Sequence, residues 1–105
     1  MAKGSTAYNA DLATAAAENL ATVASMKRIT LWLIGSEQGA IAKSRAKSEI
    51  WSDSIGFEKT ALAFEAASNA MIIAAGQNVD TLRTAMSSIG KSCQSCHESY
   101  RGPKN

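Results

Sequence analysis

The stretch Val79-Asp-Thr-Leu82-Arg-Thr-Ala-Met86-Ser-Ser-Ile89-Gly-Lys-Ser-Cys93-Gln-Ser-Cys96-His97-Glu-Ser-Tyr100 decides the fold. Val79, Leu82, Met86, Ile89, Cys93, Cys96 and Tyr100 recur in alternating steps of three and four without a slip. That is the stripe of a helix facing other helices. Asn78 stands before it as an N-cap, and Gly102-Pro103 ends it. Working back, a second helix opens near Ser52 or Asp53 and ends at Gly76, which is read as the C′ residue. Its seam is Phe57, Ala61, Phe64, Ser68, Met71 and Ala75. A third runs from Asp11, read as its N-cap, to about Met26, with Leu12, Ala16, Leu20 and Val23 on one face. Between these last two lie Lys27 to Trp51, too long for a structureless loop in a compact domain. Ile29 to Ile34 could extend the N-terminal helix as far as Gly35, and Ala40 to Trp51 is also helix-compatible.

The composition agrees with helices. The single proline, Pro103, lies outside every predicted helix, and aromatics are only 6% of the chain. At 105 residues the chain, 1–105, is one domain with a small core. Eleven Lys+Arg against nine Asp+Glu give +2, too little for nucleic-acid binding through bulk charge. The apolar run Ile29–Ile34 is far short of the ~20 residues of a bilayer span, so no membrane partner is expected. Lys3 and Gly4 are followed by no apolar region, so no signal peptide is expected either. Two cysteines are too few for a disulfide framework.

Their spacing points elsewhere. Cys93-Gln-Ser-Cys96-His97 is a C-x-x-C-H motif inside a helix. Two thiols three apart share one helix face, so each can add to one vinyl group of a haem, with the adjacent imidazole beneath the iron. Here that face is the core stripe, so the haem would sit between helices, as cofactors in bundles do. His97 is the only imidazole in the chain. Other uses of such a motif fit less well. A redox C-x-x-C normally opens a helix after a strand, and no strand is predicted. A zinc site needs four ligands, and the motif supplies three. Two buried structural cysteines beside a surface histidine are the plain alternative.

The run Gly90-Lys-Ser-Cys93-Gln-Ser-Cys96-His97-Glu-Ser-Tyr100-Arg101 resembles the C-terminus of class II c-type cytochromes, the cytochrome c-prime family. Lys43-Ser-Arg45-Ala-Lys-Ser-Glu49-Ile-Trp51-Ser-Asp53 is similar to that family's loop before its third helix. Ala2-Lys-Gly4 and Tyr8-Asn-Ala10 resemble the junction of its first and second helices. The resemblance implies an all-α, four-helix bundle with one covalent haem c, thioethers at Cys93 and Cys96, and His97 as proximal ligand. It places Arg101 near the proximal imidazole, and Ser44 and Arg45 at the haem edge, where an arginine can pair with a propionate. It also implies that this chain has three recognisable helices and lacks the family's first, the fourth being missing or supplied by the connector or a partner. Leu33 and Ser48 stand where the family often has proline, which favours a continuous helical connector.

The expected function is therefore a five-coordinate haem protein that binds NO or CO or passes single electrons. The alternatives are a six-coordinate low-spin electron carrier, or a truncated or engineered bundle made for assembly. No residue set for acid–base or nucleophilic catalysis is apparent, so no enzyme is expected. Met71 and Met86 lie on helical seams, where packing is the commoner role, so a methionine sixth ligand is not expected. The resemblance places the protein in the periplasm and names no redox partner. A homodimer or domain-swapped assembly is expected, with Trp32, Leu33 and Ile34 as the contact patch.

Overall fold

The computed structural model describes residues 1–105. Four α-helices follow one another: α1 (Ala10–Ala24), α2 (Glu49–Ser52), α3 (Ser54–Gln77) and α4 (Val79–Tyr100). This corrects the expected count of three, and with it the expectation that a helix of the bundle is lacking. The additional helix, α2, forms inside the connector. It falls at the end of the helix-compatible segment Ala40 to Trp51, of which only this one turn is helical; so short a turn leaves no periodic stripe, and only Ile50 of its residues is buried.

The three long helices each begin on a side chain that accepts one of their free N–H groups, whereas the one-turn α2 has no side-chain cap. Asn9, rather than Asp11, caps α1, its Oδ1 accepting the Leu12 N–H at 2.9 Å. Asp53 separates α2 from α3 and accepts the Gly56 N–H at 3.3 Å. Asn78 is the whole link between α3 and α4. Its extended backbone ends one helix, and its side chain forms a capping box with Thr81 at the start of the next. Gly76 is therefore not a C′ residue. It lies within α3, where an added Cβ would stand 2.9 Å from Thr14 Oγ1 of α1, so its role is to let two helices approach closely.

α3 lies between α1 and α4 and packs against both. The end of α3 meets the start of α1, where the Tyr8 hydroxyl donates to the Ala75 carbonyl at 2.6 Å. Its beginning meets the end of α1 through Arg28 and Glu58. α1 and α3 are thus antiparallel. The face α1 buries is Ala13, Ala17, Ala21 and Ala24, one residue out of register with the expected Leu12 seam. Leu12 and Val23 are more than half exposed. Alanines allow the close approach seen at Gly76, which a leucine on that face would prevent. The seams of α3 and α4 agree far better with expectation. Phe57, Ser68, Met71, Ala75, Leu82, Ile89 and Tyr100 are buried, and Met86 is the exception at 45% exposure.

The connector is neither a continuation of α1 nor one long helix. α1 stops at Ala24, and Arg28 turns back to donate from Nη1 to the Ala24 carbonyl at 2.9 Å, sealing the helix end. A 3-10 turn over Arg28–Thr30 follows, and then tight turns. Gly35 and Gly39 sit at φ of 91° and 95°, a region that ends a right-handed helix, and Lys43 joins them at 67°. The absence of proline at Leu33 and Ser48 was not enough to make these residues helical. The second half of the connector is fixed to the end of α4 instead. Lys47 N–H donates to Tyr100 O at 3.0 Å and Gly102 N–H to Arg45 O at 2.6 Å. No helix is long and apolar enough to cross a membrane.

Candidate haem site

Cys93, Cys96 and His97 lie on the last turns of α4, the two thiols free and half-buried, the imidazole exposed. All three line one cavity of about 310 Å³. Its other walls are mostly apolar: Phe57, Ala61 and Phe64 from α3, Val23 and Ala24 from the end of α1, and Leu31 and Trp32 from the connector, with Arg28, Thr60 and Ser92 among them. A second cavity of about 240 Å³ shares Cys96, His97, Trp32 and Phe57 and adds Arg45, Tyr100 and Arg101. The structure thus brings together five of the six residues expected at the site. Ser44 is the sixth. Its hydroxyl donates to the Ser36 carbonyl at 2.6 Å and accepts the Ala46 N–H at 3.3 Å, and it lines neither cavity.

Two guanidinium groups reach the second cavity because the connector and the C-terminus are held side by side. Ala46 bridges to Arg101, and Arg45 Nε donates to the Gly102 carbonyl at 3.0 Å. Arg101 has no ion pair in the protein and follows His97 by one turn, its backbone N–H donating to the His97 carbonyl at 3.2 Å.

An aromatic cluster supports this end of the bundle. Trp32 meets Phe57 edge-on at 5.3 Å between centroids, and Phe57 meets Tyr100 at 5.2 Å, both near-perpendicular arrangements that ring quadrupoles favour. The buried Tyr100 hydroxyl donates to Asp53 Oδ2 at 2.8 Å. That hydrogen bond, with burial second, raises the phenol above its ordinary pKa and keeps it a donor. Gly56 makes room for the contact. A methyl there would collide with the Asp53 carboxylate and stand 2.5 Å from the Tyr100 hydroxyl.

Arg28, which the sequence reading did not single out, also lines the first cavity. Its Nε donates to Glu58 Oε2 at 3.0 Å, and Glu65 lies 3.8 Å away. The hydrogen bond to Glu58 raises the guanidinium still further above its ordinary range and lowers the Glu58 carboxyl. Neither Arg28 nor Trp32 belongs to a periodic stripe, so no spacing could have placed them at the site. Asp53 was read only as a helix start, and its second role depends on Tyr100, 47 residues away.

No methionine reaches either cavity. Met71 is buried in the core at the other end of α3, and it shares a separate cavity of about 390 Å³ with Met1 and Met86. The haem-facing space therefore holds two free thiols on one face, one imidazole, mostly apolar walls, the ion-paired Arg28 in the first cavity and Arg45 and Arg101 in the second. That set of residues fits a flat apolar macrocycle with two vinyl groups to which the thiols can add, a metal that takes a nitrogen ligand, and two carboxylates.

Comparison with known proteins agrees with this fit. A family model described as Cytochrome C′ matches residues 1–101. The chain is 39% identical over 101 residues to a cytochrome c-554 of Cereibacter sphaeroides, covering 96% of this chain and 66% of that protein. It thus spans slightly less than two thirds of that relative's length. A solved cytochrome c′ from Rhodobacter Spheriodes superposes with a TM-score of 0.93 at 33% identity, covering 98% of this chain and 79% of that one. Structures of cytochrome c prime from Alcaligenes xylosoxidans, one a nitric oxide complex of a mutant and one a carbon monoxide-bound variant, superpose with TM-scores of 0.81 at 32% identity. Both cover 97% of this chain and 77% of their own.

Proposed function

The chain belongs to the cytochrome c′ family, and from that premise we propose that it is a five-coordinate haem protein that binds NO or CO or passes single electrons. It is a c-type cytochrome, a carrier rather than an enzyme, with covalent haem c on its two cysteines. When bound, the haem supplies an iron with an open coordination position and a one-electron couple. The protein's residues do the rest. Cys93 and Cys96 fix the ring to α4. His97 would supply a nitrogen ligand to the iron, and Arg101, one turn further on, would add positive charge beside it. Arg45 and Arg101, which line the second cavity, would hold the carboxylates by charge-assisted hydrogen bonds. Ser44 acts at one remove, tying the turn that carries Arg45 to Ser36. Phe57 and Phe64 would keep water from the ring.

One observation carries this reading. The sulfur and imidazole atoms lining the haem-facing cavities come only from Cys93, Cys96 and His97. With the thiols engaged and one position on the iron filled by His97, these cavities would offer no second histidine, methionine or lysine ligand. The complexes formed by structural relatives with nitric oxide and carbon monoxide point the same way. The expected result is a high-spin ferric absorption spectrum and a ferrous form that takes up CO and NO stoichiometrically. A low-spin ferric spectrum with no CO uptake would establish the six-coordinate carrier instead.

The same reading places the protein in the periplasm, where haem is attached to such motifs. It also includes a second copy of the chain as partner. Ile29 and Ile34 are nearly fully exposed at 87% and 88%, and Leu33 and Val23 are more than 60% exposed, all at the haem-bearing end. Covering such a patch is worth about 25 cal/mol per Å² of apolar area. Light scattering at micromolar concentration is expected to give the mass of two chains, and Trp32→Glu to weaken the association. A one-chain mass for the unmutated holoprotein refutes the dimer.

A further inference from the structure

The pair formed by Tyr100 and Asp53 is placed for more than fastening α4 to α3. The buried Tyr100 lines the second cavity beside Cys96 and His97, and Cys96 packs against the cluster of Ile50, Phe57 and Tyr100. The phenol donates to Asp53 Oδ2 at 2.8 Å, while Oδ1 of the same carboxylate takes the Gly56 N–H at 3.3 Å. One oxygen thus caps a helix, and the other is left to the phenol. Asp53 is itself exposed, so its carboxylate joins a buried hydroxyl to solvent.

The other readily oxidised rings lack that arrangement. The chain has two tyrosines and two tryptophans. Tyr8 donates to the Ala75 carbonyl at 2.6 Å at the far end of the bundle, and Trp51 donates to the Trp32 carbonyl at 3.1 Å. An amide carbonyl accepts a hydrogen bond but is too weak a base to take the proton. Trp32 does line both haem-facing cavities, yet its indole N–H has no partner within the protein. Only Tyr100 combines a place at the haem site with a carboxylate on its hydroxyl.

We infer that Tyr100 is a redox-active residue, which gives an electron to the haem after a peroxide has oxidised it, with Asp53 taking the phenolic proton. The inference rests on the proposed five-coordinate haem, whose open position is where a peroxide would react. Hydrogen peroxide takes two electrons there as its O–O bond breaks. In the step that follows, the Tyr100 O–H bond breaks. Its electron returns one of the two to the haem, its proton forms a new O–H bond on Asp53 Oδ2, and a neutral tyrosyl radical remains. The carboxylate matters because a phenol that has lost an electron is a strong acid. With a base at 2.8 Å, electron and proton leave together and no cation radical has to form. Burial against Phe57 then keeps the radical from solvent.

The test adds hydrogen peroxide to the ferric holoprotein and follows radicals by rapid-freeze-quench electron paramagnetic resonance. The unmutated protein is expected to give a tyrosyl signal that narrows after growth on ring-deuterated tyrosine. Tyr100→Phe, which keeps the ring beside Phe57, is expected to lose the signal. Tyr8→Phe is expected to keep it, and there Tyr100 is the only tyrosine, so this variant carries the assignment should Tyr100→Phe fail to hold haem. Asp53→Asn preserves the helix cap and removes only the base, and radical formation is expected to slow at least about tenfold. A signal that survives Tyr100→Phe or disappears in Tyr8→Phe, an unchanged rate in Asp53→Asn, or a tryptophanyl signal overturns the inference. So does the absence of any radical in a protein that takes up CO, which leaves the proposed function standing. Failure of the ferrous protein to take up CO overturns that function, and this inference with it.

Discussion

Replacing both Cys93 and Cys96 by alanine is expected to leave a protein whose haem is removed completely by acid–acetone, while either single variant keeps its colour through the remaining thioether. The two thiols are the chain's only cysteines, and both face the cavity that also holds His97. They are three apart on a continuous helix, so one flat ring reaches both at once. Neither is engaged in a disulfide, and both are half-buried, placed for attachment rather than for packing alone. Alanine suits an α-helix, so α4 is expected to persist in all three variants. Mass spectrometry of denatured protein checks this directly: polypeptide plus one haem for the unmutated chain and each single variant, bare polypeptide for the double. Bare polypeptide for the unmutated chain grown with a haem-attachment system would refute covalent attachment altogether.

The site was legible where chemistry and periodicity coincide. On α4 the packing stripe and the reactive motif occupy the same face, so one run of residues announced both the helix and the haem, and burial follows that stripe closely. The same logic failed on α1. Large apolar residues were expected to mark the buried face, but Leu12 and Val23 are exposed and four alanines are buried. Alanine is a good helix former on any face, so its spacing carries little signal. Buried, though, it permits the close approach at Thr14 and Gly76. The connector failed for a different reason. Its structure is set by backbone pairing with the end of α4 and by residues at positive φ, and neither leaves a periodic trace. That is also why Arg45 was found through resemblance, whereas Arg28, the partnership of Asp53 with Tyr100 and the place of Trp32 at the haem site, a residue expected only in a contact patch, emerged from the folded chain. The family resemblance supplied the cofactor correctly and the helix count incorrectly, because a one-turn helix such as α2 has no signature to align.

His97→Ala is expected to have the most direct effect on the iron: loss of native axial ligation, with partial recovery on adding free imidazole. The chain has no other histidine, and no methionine lines the haem-facing cavities, so nothing nearby can take the place of the lost nitrogen. The substitution is also mild for the fold. The imidazole is exposed and makes no hydrogen bond within the protein. What the fold uses at this position is the backbone carbonyl, which receives the Arg101 N–H, and alanine supplies the same carbonyl. Tyr100, Asp53 and Gly56, which lock the end of α4 to α3, are untouched. The change in the iron can therefore be separated from unfolding: far-ultraviolet circular dichroism should retain its helical amplitude while the ferric absorption and resonance Raman spectra change. Free imidazole can enter the space vacated by the side chain, since both cavities that His97 lines remain otherwise intact, and its binding should restore the iron–nitrogen stretching band. An unchanged ferric spectrum in the variant would show that another group ligates the iron. A changed spectrum together with lost helicity would assign His97 a structural role, contrary to its exposure and its lack of side-chain partners.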